Sequence, residues 1–220
     1  MEHHSFISFK GFDYTSKQVL KHSRDFYELM DKRRSLRVFS DKPVENKVIE
    51  NIIMTASSAP SGAHKQPWFF SAISNPGLKK KIKEAAEKEE YENYTGRMSD
   101  TWLKDLEPFD TTFQKPFLEI APWLIVVFKK PFDVVNGEKK QNYYVNESVG
   151  IAVGFLLAAI HQAGLVALTH TPSPMNFLEK LLNRPSNERA YLLIPVGYPP
   201  ADALVPDITR KSLKEVADFL

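Results

Sequence analysis

The sequence predicts an α+β fold in which one central sheet is flanked by helices, within a single domain spanning residues 1–220. The length of 220 residues and the hydrophobic share of 43% suit one domain with a sizeable core. No internal repeat, low-complexity tract or linker divides the chain. Segments with helical and strand patterns alternate irregularly, which favours α+β over a regular βαβ repeat.

Four helices are predicted from apolar residues at helical spacing and from capping signals. The third has the clearest start, because Asn75 is placed to cap it and Pro76 occupies its first position. Many Lys and Glu residues mark an exposed face on this helix. The predicted helices are residues 17–32, 45–57, 76–94 and 147–163.

Four strands are predicted where β-branched and aromatic residues concentrate between turn signals. They are residues 68–73, 123–129, 166–169 and 191–196, and together they would form the central sheet.

The fourth predicted helix, residues 147–163, is apolar nearly all round. A helix exposed on a monomer's surface could not tolerate this, so burial in the core is favoured. Gly150 and Gly154 are spaced to let a second helix approach closely, which leaves a dimer interface open. The apolar run within residues 149–160 is shorter than the roughly 20 residues that cross a bilayer.

Composition and missing motifs exclude several functional classes. The net charge of +2 gives no electrostatic case for a nucleic-acid or membrane partner. The absence of cysteine excludes thiolate catalysis, disulfides and cysteine-ligated zinc. No Rossmann, P-loop or H-E-x-x-H motif occurs, and the adjacent His3 and His4 are isolated, so no metal is assigned. The first twelve residues lack the apolar run of a signal peptide, which favours a cytoplasmic protein.

Two segments carry complementary chemistry for a cofactor. In Arg33-Arg34-Ser35-Leu36-Arg37, guanidinium groups can bind phosphate in a bidentate manner. In Pro60-Ser61-Gly62-Ala63-His64, a glycine lets backbone N–H groups approach a flat ring without an intervening Cβ. Together they favour a flavin mononucleotide (FMN) site. Either segment alone is also typical of a solvated helix end or an ordinary surface turn.

The wording of both segments resembles the nitroreductase superfamily of flavoproteins. The strings "RRSLRVFS" and "TASSAPSGAHKQPWFF" carry this resemblance, which extends over residues 33–211, and the Ser-Gly-Ala-His turn is similar to the iodotyrosine deiodinase branch. The resemblance implies a nitroreductase-like fold with a mixed sheet and an intertwined homodimer that binds FMN between subunits. Animal deiodinases carry an amino-terminal membrane anchor, so its absence here suggests a soluble, bacterial type of relative.

The resemblance also assigns cofactor contacts residue by residue. Thr171 would donate a hydrogen bond to flavin N5 and favour one-electron chemistry, and the Ala63 N–H would face the ligand stacked on the ring. Without the resemblance, Thr171 is a strand-end residue, Arg210 is one basic residue in a tail, and the lone His170 is typical of a structural histidine. The implied cofactor-binding residues are Arg33, Arg34, Ser35, Leu36, Arg37, Ser61, Gly62, Thr169, His170, Thr171 and, in "VPDITRKSL", Arg210.

Residues 88–117 form a charged, aromatic-rich stretch whose composition alone is typical of exposed helix and loop. In the deiodinase branch the matching segment closes over the substrate as a lid, and the corresponding residues here are Glu90, Tyr94 and Lys115. A zwitterionic amino acid would offer its ammonium to Glu90 and its carboxylate to Lys115, while Tyr94 donates a hydrogen bond. Lys115 comes from a second segment, so this site would form only when the lid folds.

The resemblance therefore implies FMN-dependent reductive dehalogenation of halotyrosines by stepwise electron transfer, with Ala63 and Thr171 in catalytic roles. The electrons would come from an NAD(P)H-linked reductase or from NAD(P)H directly. Two alternatives stay open at this point. One is a general FMN-dependent nitroreductase or quinone reductase, and the other is a non-catalytic protein that binds flavin or tyrosine.

Overall fold

The computed structural model describes residues 5–220, and the chain divides into two compact units, Met1–Arg33 and Arg34–Leu220. His3 and His4 lie outside the described residues. The first unit contains helix α1 (Ser16–Asp31), which begins with a capping box formed by Thr15 and Gln18. No residue of α1 is buried. The prediction of one domain over residues 1–220 stays a prediction.

The second unit is an α+β structure built on a four-stranded sheet, with a separate hairpin. In the sheet the order is β1-β2-β6-β5 and all neighbours are antiparallel. A parallel bridge between Ser35 and Ala167 adds a parallel component beside β5, so the pairing is mixed as predicted. The strands are β1 (Trp68–Ile73), β2 (Trp123–Lys129), β3 (Phe132–Val135), β4 (Glu138–Gln141), β5 (Val166–Ala167) and β6 (Arg189–Gly197).

Helices cover both faces of this sheet. The longer ones are α2 (Asn46–Ser57), α3 (Pro76–Glu92) and α6 (Val145–Gln162); the shorter ones, which the sequence did not predict, are α4 (Asp100–Leu106), α5 (Phe117–Ile120), α7 (Asn176–Leu181) and α8 (Leu213–Val216). Along β2 every residue from Trp123 to Phe128 is buried. Alternate residues of β2 enter two core clusters, one with α2 and α6 and the other with α3, α5 and α7. Burial on both faces explains why β2 reads as a continuous apolar run.

Strand β5 ends at Ala167, earlier than the predicted end at Thr169. Ala167 pairs with Val196, and His170 pairs with Leu193 in the same register. Leu168 would therefore pair with Pro195, which has no N–H to donate to the ladder. The chain keeps its course along β6, but the regular strand is interrupted just before Thr169.

One helix boundary and one hairpin also differ from the sequence prediction. Helix α3 ends at Glu92 and continues as a π-helical turn, Asn93–Arg97, so the predicted helix end at Tyr94 lies inside this turn. The β3–β4 hairpin was not predicted, although Asn136 and Gly137 at its tip have the positive φ values of 54° and 81° that an Asn-Gly hairpin turn requires.

Helix α6 begins at Val145 and ends at Gln162, close to the predicted 147–163. Its buried side packs into the core, but Ile151 and Phe155 are 43% and 40% exposed, so one apolar side is uncovered within this chain. Among residues 5–220, α6 is the one helix with the length and apolar composition to cross a membrane. Because its other side forms the core with α2 and β2, we assign it to the folded interior.

Candidate cofactor and substrate site

The arginine motif lies beside the edge of the sheet. The Leu36 N–H donates to the Ala167 carbonyl at 3.2 Å, and the Leu36 side chain is buried, which fixes the segment next to β5. The Arg34 guanidinium donates to the Pro206 carbonyl, so the carboxy-terminal segment lies against the motif. Arg210, four residues further along that segment, is exposed.

Arg37 contacts a different part of the molecule from Arg34. Its guanidinium carbon lies 5.1 Å from the centre of the Phe109 ring, in the predicted lid. Its positive charge contributes to lowering the pKa of both Lys115 and His170, so it lies near the lid residues. Arg33 belongs to the first unit, where its N–H donates to the Met30 carbonyl. Arg34 and Arg37 thus have different neighbours in the protein, and their shared binding of one phosphate with Arg33 stays a prediction.

The segment Thr169–Thr171 presents alternate sides to solvent and core. Thr169 and Thr171 are exposed, and no hydrogen bond links the Thr171 hydroxyl to any other residue in the range 5–220. His170 lies between them, buried against the Phe117 ring and bonded through its backbone to Leu193 in both directions, at 2.9 and 3.0 Å. Burial, helped by the charges of Lys115 and Arg37, lowers the pKa of His170 to about 3. His170 is therefore neutral, which supports the structural interpretation rather than a general-acid role.

The Ser61–Ala63 turn has a costly backbone conformation that its surroundings hold in place. Ala63, His64 and Gln66 have φ values of 49°, 54° and 47°, in the left-handed region that side chains disfavour. The Ser61 hydroxyl accepts from the Gln66 N–H at 2.8 Å. The Gly62 N–H donates at 3.3 Å to the hydroxyl of Ser148, a buried residue of α6. The Ala63 N–H has no acceptor among residues 5–220, so it is free to meet a ligand.

Gly62 is required by packing within this chain. A Cβ at Gly62 would lie 2.9 Å from Tyr144 Cδ2 and 3.1 Å from the Tyr143 carbonyl oxygen. The missing Cβ therefore allows the start of α6 to approach the turn. Close approach of a flat ring at this turn stays a prediction.

The two halves of the predicted flavin site are not joined within one chain. Across residues 5–220, no described hydrogen bond, ion pair or ring contact connects Ser61–Ala63 with Arg34–Arg37 or with Thr169–Thr171. The turn is fixed to α6, whereas the arginine motif and the threonine segment are fixed to β5 and β6.

The three lid residues do come together. Lys115 Nζ lies 3.3 Å from Glu90 Oε2 and 5.2 Å from the centre of the Tyr94 ring. Lys115 also donates to the Thr111 hydroxyl at 3.1 Å and to the Thr112 carbonyl, and the Tyr94 hydroxyl donates to the Thr111 carbonyl at 3.3 Å. The side chains of Lys115 and Glu90 are only 4% and 7% exposed. The prediction that these residues from two segments meet in the folded lid is met by this geometry.

Burial dominates the electrostatics of this pair. It raises the pKa of Glu90, although the Lys115 charge opposes the shift, and it lowers the pKa of Lys115, although Glu90 opposes that shift. Burial likewise raises the pKa of Tyr94, which keeps its phenol protonated as a donor. Each charge is thus costly to bury and depends on its partner. Next to this cluster, Arg37 and lid residues 110–112 line a cleft of about 460 Å³.

Sequence reasoning missed three residues that organise these groups. Thr111 holds both Lys115 and Tyr94, Ser148 holds the Ser61–Ala63 turn, and Asn93 is a buried polar residue of the lid. Two of them carried a signal, since Ser148 is a polar residue in an apolar helix and Asn93 is a poor helix former within a predicted helix. Nothing in the sequence marked Thr111. Within the described range, no group of three acidic, histidine or cysteine side chains could hold a metal ion.

Comparison with known proteins shows the family of this chain. The Nitroreductase family matches residues 30–198. The iodotyrosine deiodinase of Haliscomenobacter hydrossis is 62% identical over 208 residues, which cover 94% of each chain. This chain belongs to the iodotyrosine deiodinase branch of the nitroreductase family. The human iodotyrosine deiodinase 1 is 45% identical over 212 residues, or 96% of this chain and 73% of the human protein.

Solved structures share the fold of this chain. The crystal structure of an oxidised iodotyrosine deiodinase bound to FMN and 3-iodo-L-tyrosine has a TM-score of 0.75 and 31% identity, covering 88% of this chain and all of that one. A nitroreductase with bound FMN from Bacteroides fragilis has a TM-score of 0.67 at 20% identity, covering 89% of this chain and 98% of that one. The second similarity supports the nitroreductase fold alone.

Proposed function

We propose that this protein is an FMN-dependent enzyme that removes halide reductively from halotyrosines, converting iodotyrosine to tyrosine and iodide. The observation that carries this proposal is the buried Glu90–Lys115 pair beside Tyr94, in a chain of the deiodinase branch. Overall, two electrons and one proton replace the carbon–halogen bond with a carbon–hydrogen bond and release halide. FMN supplies these electrons when it is bound.

Several polar groups of the chain suit FMN. Arg34 can supply charge for the phosphate, with Arg33, Arg210 and the Ser35–Leu36 segment as further candidates from the family pattern. The unpartnered hydroxyl of Thr171 is available as a donor to a ring nitrogen, with Thr169 on the same side of the segment. The Ala63 N–H, also without an acceptor in the described chain, can hold the phenol oxygen of a substrate. The Thr171 hydroxyl and the Ala63 N–H, which have no partner among residues 5–220, are therefore suited to a polar ligand.

The lid residues suit the amino-acid part of the substrate. Glu90 and Lys115 can accept the ammonium and carboxylate of a zwitterion by exchanging their mutual contact for contacts with the ligand. Because both charges are buried, each gains more from an opposite charge than it would in water. Tyr94 remains a protonated donor beside them. A neutral nitroaromatic or quinone has no groups for this pair, so the lid favours the deiodinase over a general nitroreductase.

A homodimer would complete the flavin site. Within one chain the Ser61–Ala63 turn is not joined to the arginine and threonine segments. The turn is bonded to Ser148 of α6, and the same helix carries the exposed apolar residues Ile151 and Phe155. We propose that the turn of one subunit and the arginine motif of the other bind the same FMN. Sedimentation of the purified protein at twice the chain mass would support this arrangement, and a stable monomer that retains FMN would contradict it.

Cytoplasmic location and NAD(P)H-derived electrons, directly or through a reductase, are further parts of the proposal, and neither nucleic acid nor membrane is a proposed partner. The enzymatic claim is tested by measuring iodide released from 3-iodotyrosine by FMN-loaded protein reduced with dithionite. Catalytic release of iodide supports the proposal. Tight binding of iodotyrosine without turnover would instead favour a non-catalytic tyrosine-binding protein, and turnover of nitroaromatics alone would favour a nitroreductase.

A further inference from the structure

Asn93 links the substrate lid to the segment that carries Thr171. Asn93 lies in the π-helical turn, between Glu90 and Tyr94, and is only 8% exposed. Its side-chain amide donates a 3.0 Å hydrogen bond to the Ser173 carbonyl, eighty residues further along the chain. π-helical turns within helices often mark functional positions, because they reorient side chains that a regular helix would place elsewhere. This bond spans two parts of the proposed site.

The far end of this bond is close to Thr171 along a restricted piece of chain. Only Pro172, a buried residue with a fixed φ, separates Thr171 from Ser173. On the other side of Thr171, His170 is anchored to Leu193 by two backbone hydrogen bonds. Thr171 is therefore held between an anchor on the sheet and an anchor on the lid. Loss of the second anchor frees the carboxyl side of Thr171 while the first stays in place.

We propose that Asn93 is a positioning residue that couples closure of the lid over an amino-acid substrate to the placement of the Thr171 hydroxyl. This inference rests on the proposed function, because Glu90 and Lys115 are taken as the substrate's ligands. When both engage a zwitterion, the turn that begins at Asn93 is ordered, and the amide of Asn93 fixes Ser173. The hydroxyl of Thr171 is then held more firmly for its contact with the cofactor when substrate is bound. Binding of the substrate in the lid thereby also positions the Thr171 hydroxyl.

The opposite side of Asn93 provides a matched control. Arg97 donates to Asn93 Oδ1 at 3.4 Å and to Glu89 at 2.8 Å, in the same turn of the lid. Arg97→Ala therefore removes hydrogen bonds from the lid without touching Ser173. Asn93→Ala removes both the donor to Ser173 and the acceptor for Arg97. Asn93→Asp keeps the size of the side chain and the acceptor for Arg97 but replaces the donor to Ser173 with a carboxylate oxygen, so it remains informative if the alanine variant folds poorly.

The experiment compares amide hydrogen exchange in the FMN-loaded wild type, Asn93→Ala, Asn93→Asp and Arg97→Ala, each with and without 3-iodotyrosine. In the wild type and Arg97→Ala, ligand should protect both residues 90–115 and residues 171–175, the latter by about three- to tenfold, the range that one net hydrogen bond supports. In both Asn93 variants the ligand should still protect the lid but no longer residues 171–175. A parallel assay should show a lower kcat for iodide release with KM nearly unchanged.

Full protection of residues 171–175 by ligand in both Asn93 variants would overturn the coupling while leaving the proposed function intact. Equal loss of that protection in Arg97→Ala would also overturn it, because any weakening of the lid would then suffice. If iodotyrosine protects no part of the wild-type lid, the proposed function fails first and the coupling fails with it.

Discussion

The lid and the flavin half of the site satisfy their polar groups in opposite ways. In the lid, Glu90 and Lys115 are buried and paired with one another inside a single chain. In the flavin half, the Ala63 N–H and the Thr171 hydroxyl have no partner among residues 5–220, and their segments are not joined. Buried charges must be paired to be tolerated, whereas exposed donors need not be. The difference teaches that one chain by itself pairs the charges of the proposed substrate lid, whereas the donors proposed to contact the cofactor are left for a ligand.

The largest effect is expected for Lys115→Ala. This change leaves Glu90 buried without its cation and removes the proposed partner of the substrate's carboxylate. Halotyrosine affinity, measured by quenching of flavin fluorescence, should fall by about 2–5 kcal/mol, the range for truncating one member of a buried charge pair. Affinity for a simple halophenol, which has no carboxylate, should change much less. Lys83→Ala, which breaks a partly exposed pair between α3 and Glu119 of α5, is the matched control. Equal losses for both ligands would remove Lys115 from the substrate site.

Arg34→Ala tests the other half of the comparison. Loss of one charge-assisted contact to the FMN phosphate costs about 1.5–3 kcal/mol, so FMN retention after desalting should fall about ten- to a hundredfold. Lys47→Ala removes an equivalent charge from an exposed pair on α2 and should leave retention unchanged. Undiminished FMN binding in Arg34→Ala would show that its contact with Pro206 is its only role.

Thr171→Ala should separate one-electron dehalogenation from two-electron nitroaromatic reduction. FMN and halotyrosine should bind as before, because neither the arginine motif nor the lid is altered. Iodide release should fall about tenfold, the upper end for one hydrogen bond, and the visible spectrum during reductive titration with a tyrosine analogue should lose its one-electron-reduced component. Nitroaromatic reduction, which does not need that state, should be spared. Full iodide release would reduce Thr171 to a strand-end residue.

The smallest effect is the pH dependence of halotyrosine affinity. Burial raises the pKa of Glu90, so in the free protein its carboxylate protonates at a higher pH than an exposed glutamate. Affinity should therefore weaken as pH falls through this raised pKa, by at most about tenfold per unit. In Glu90→Gln, halotyrosine affinity should be lower at every pH, and its decrease at acid pH should disappear. Ionisation of the substrate's phenol affects both proteins alike. An identical decrease in affinity at acid pH in both proteins would assign the titration to another group.

Much of this architecture follows from local sequence, and the exceptions have physical causes. The four long helices and the strands β1, β2 and β6 match their predicted places, because apolar periodicity and caps are local signals. The end of β5 was wrong because it depends on Pro195, a residue of the opposite strand. The packing role of Gly62 was missed because it depends on Tyr144, far away in the sequence. The β3–β4 hairpin could have been found from Asn136-Gly137.

The same contrast holds within the site. The identities of Glu90, Tyr94 and Lys115 came from the resemblance to the deiodinase branch, and their meeting in space agrees with it. The contact of Asn93 with Ser173 was hidden by eighty residues of separation, whereas the local contact of Thr111 with Lys115 carried no motif that marked it. The position of Arg37 beside Phe109, away from Arg34, could not be deduced from spacing alone, because the two side chains leave the same short segment in different directions.

The central claim is that the lid is completed within one chain and the flavin half by two, and mixed dimers test it most directly. One chain carries Arg34→Ala, and the other carries Ala63→Pro, which removes the Ala63 N–H and is incompatible with its φ of 49°. Each homodimer should be nearly inactive in iodide release. The mixed dimer, isolated through two different affinity tags, should recover about half of the wild-type activity, because one of its two sites takes both parts from unaltered segments. A mixed dimer as inactive as either homodimer would contradict the claim, since it would mean that both parts of each flavin site come from the same chain.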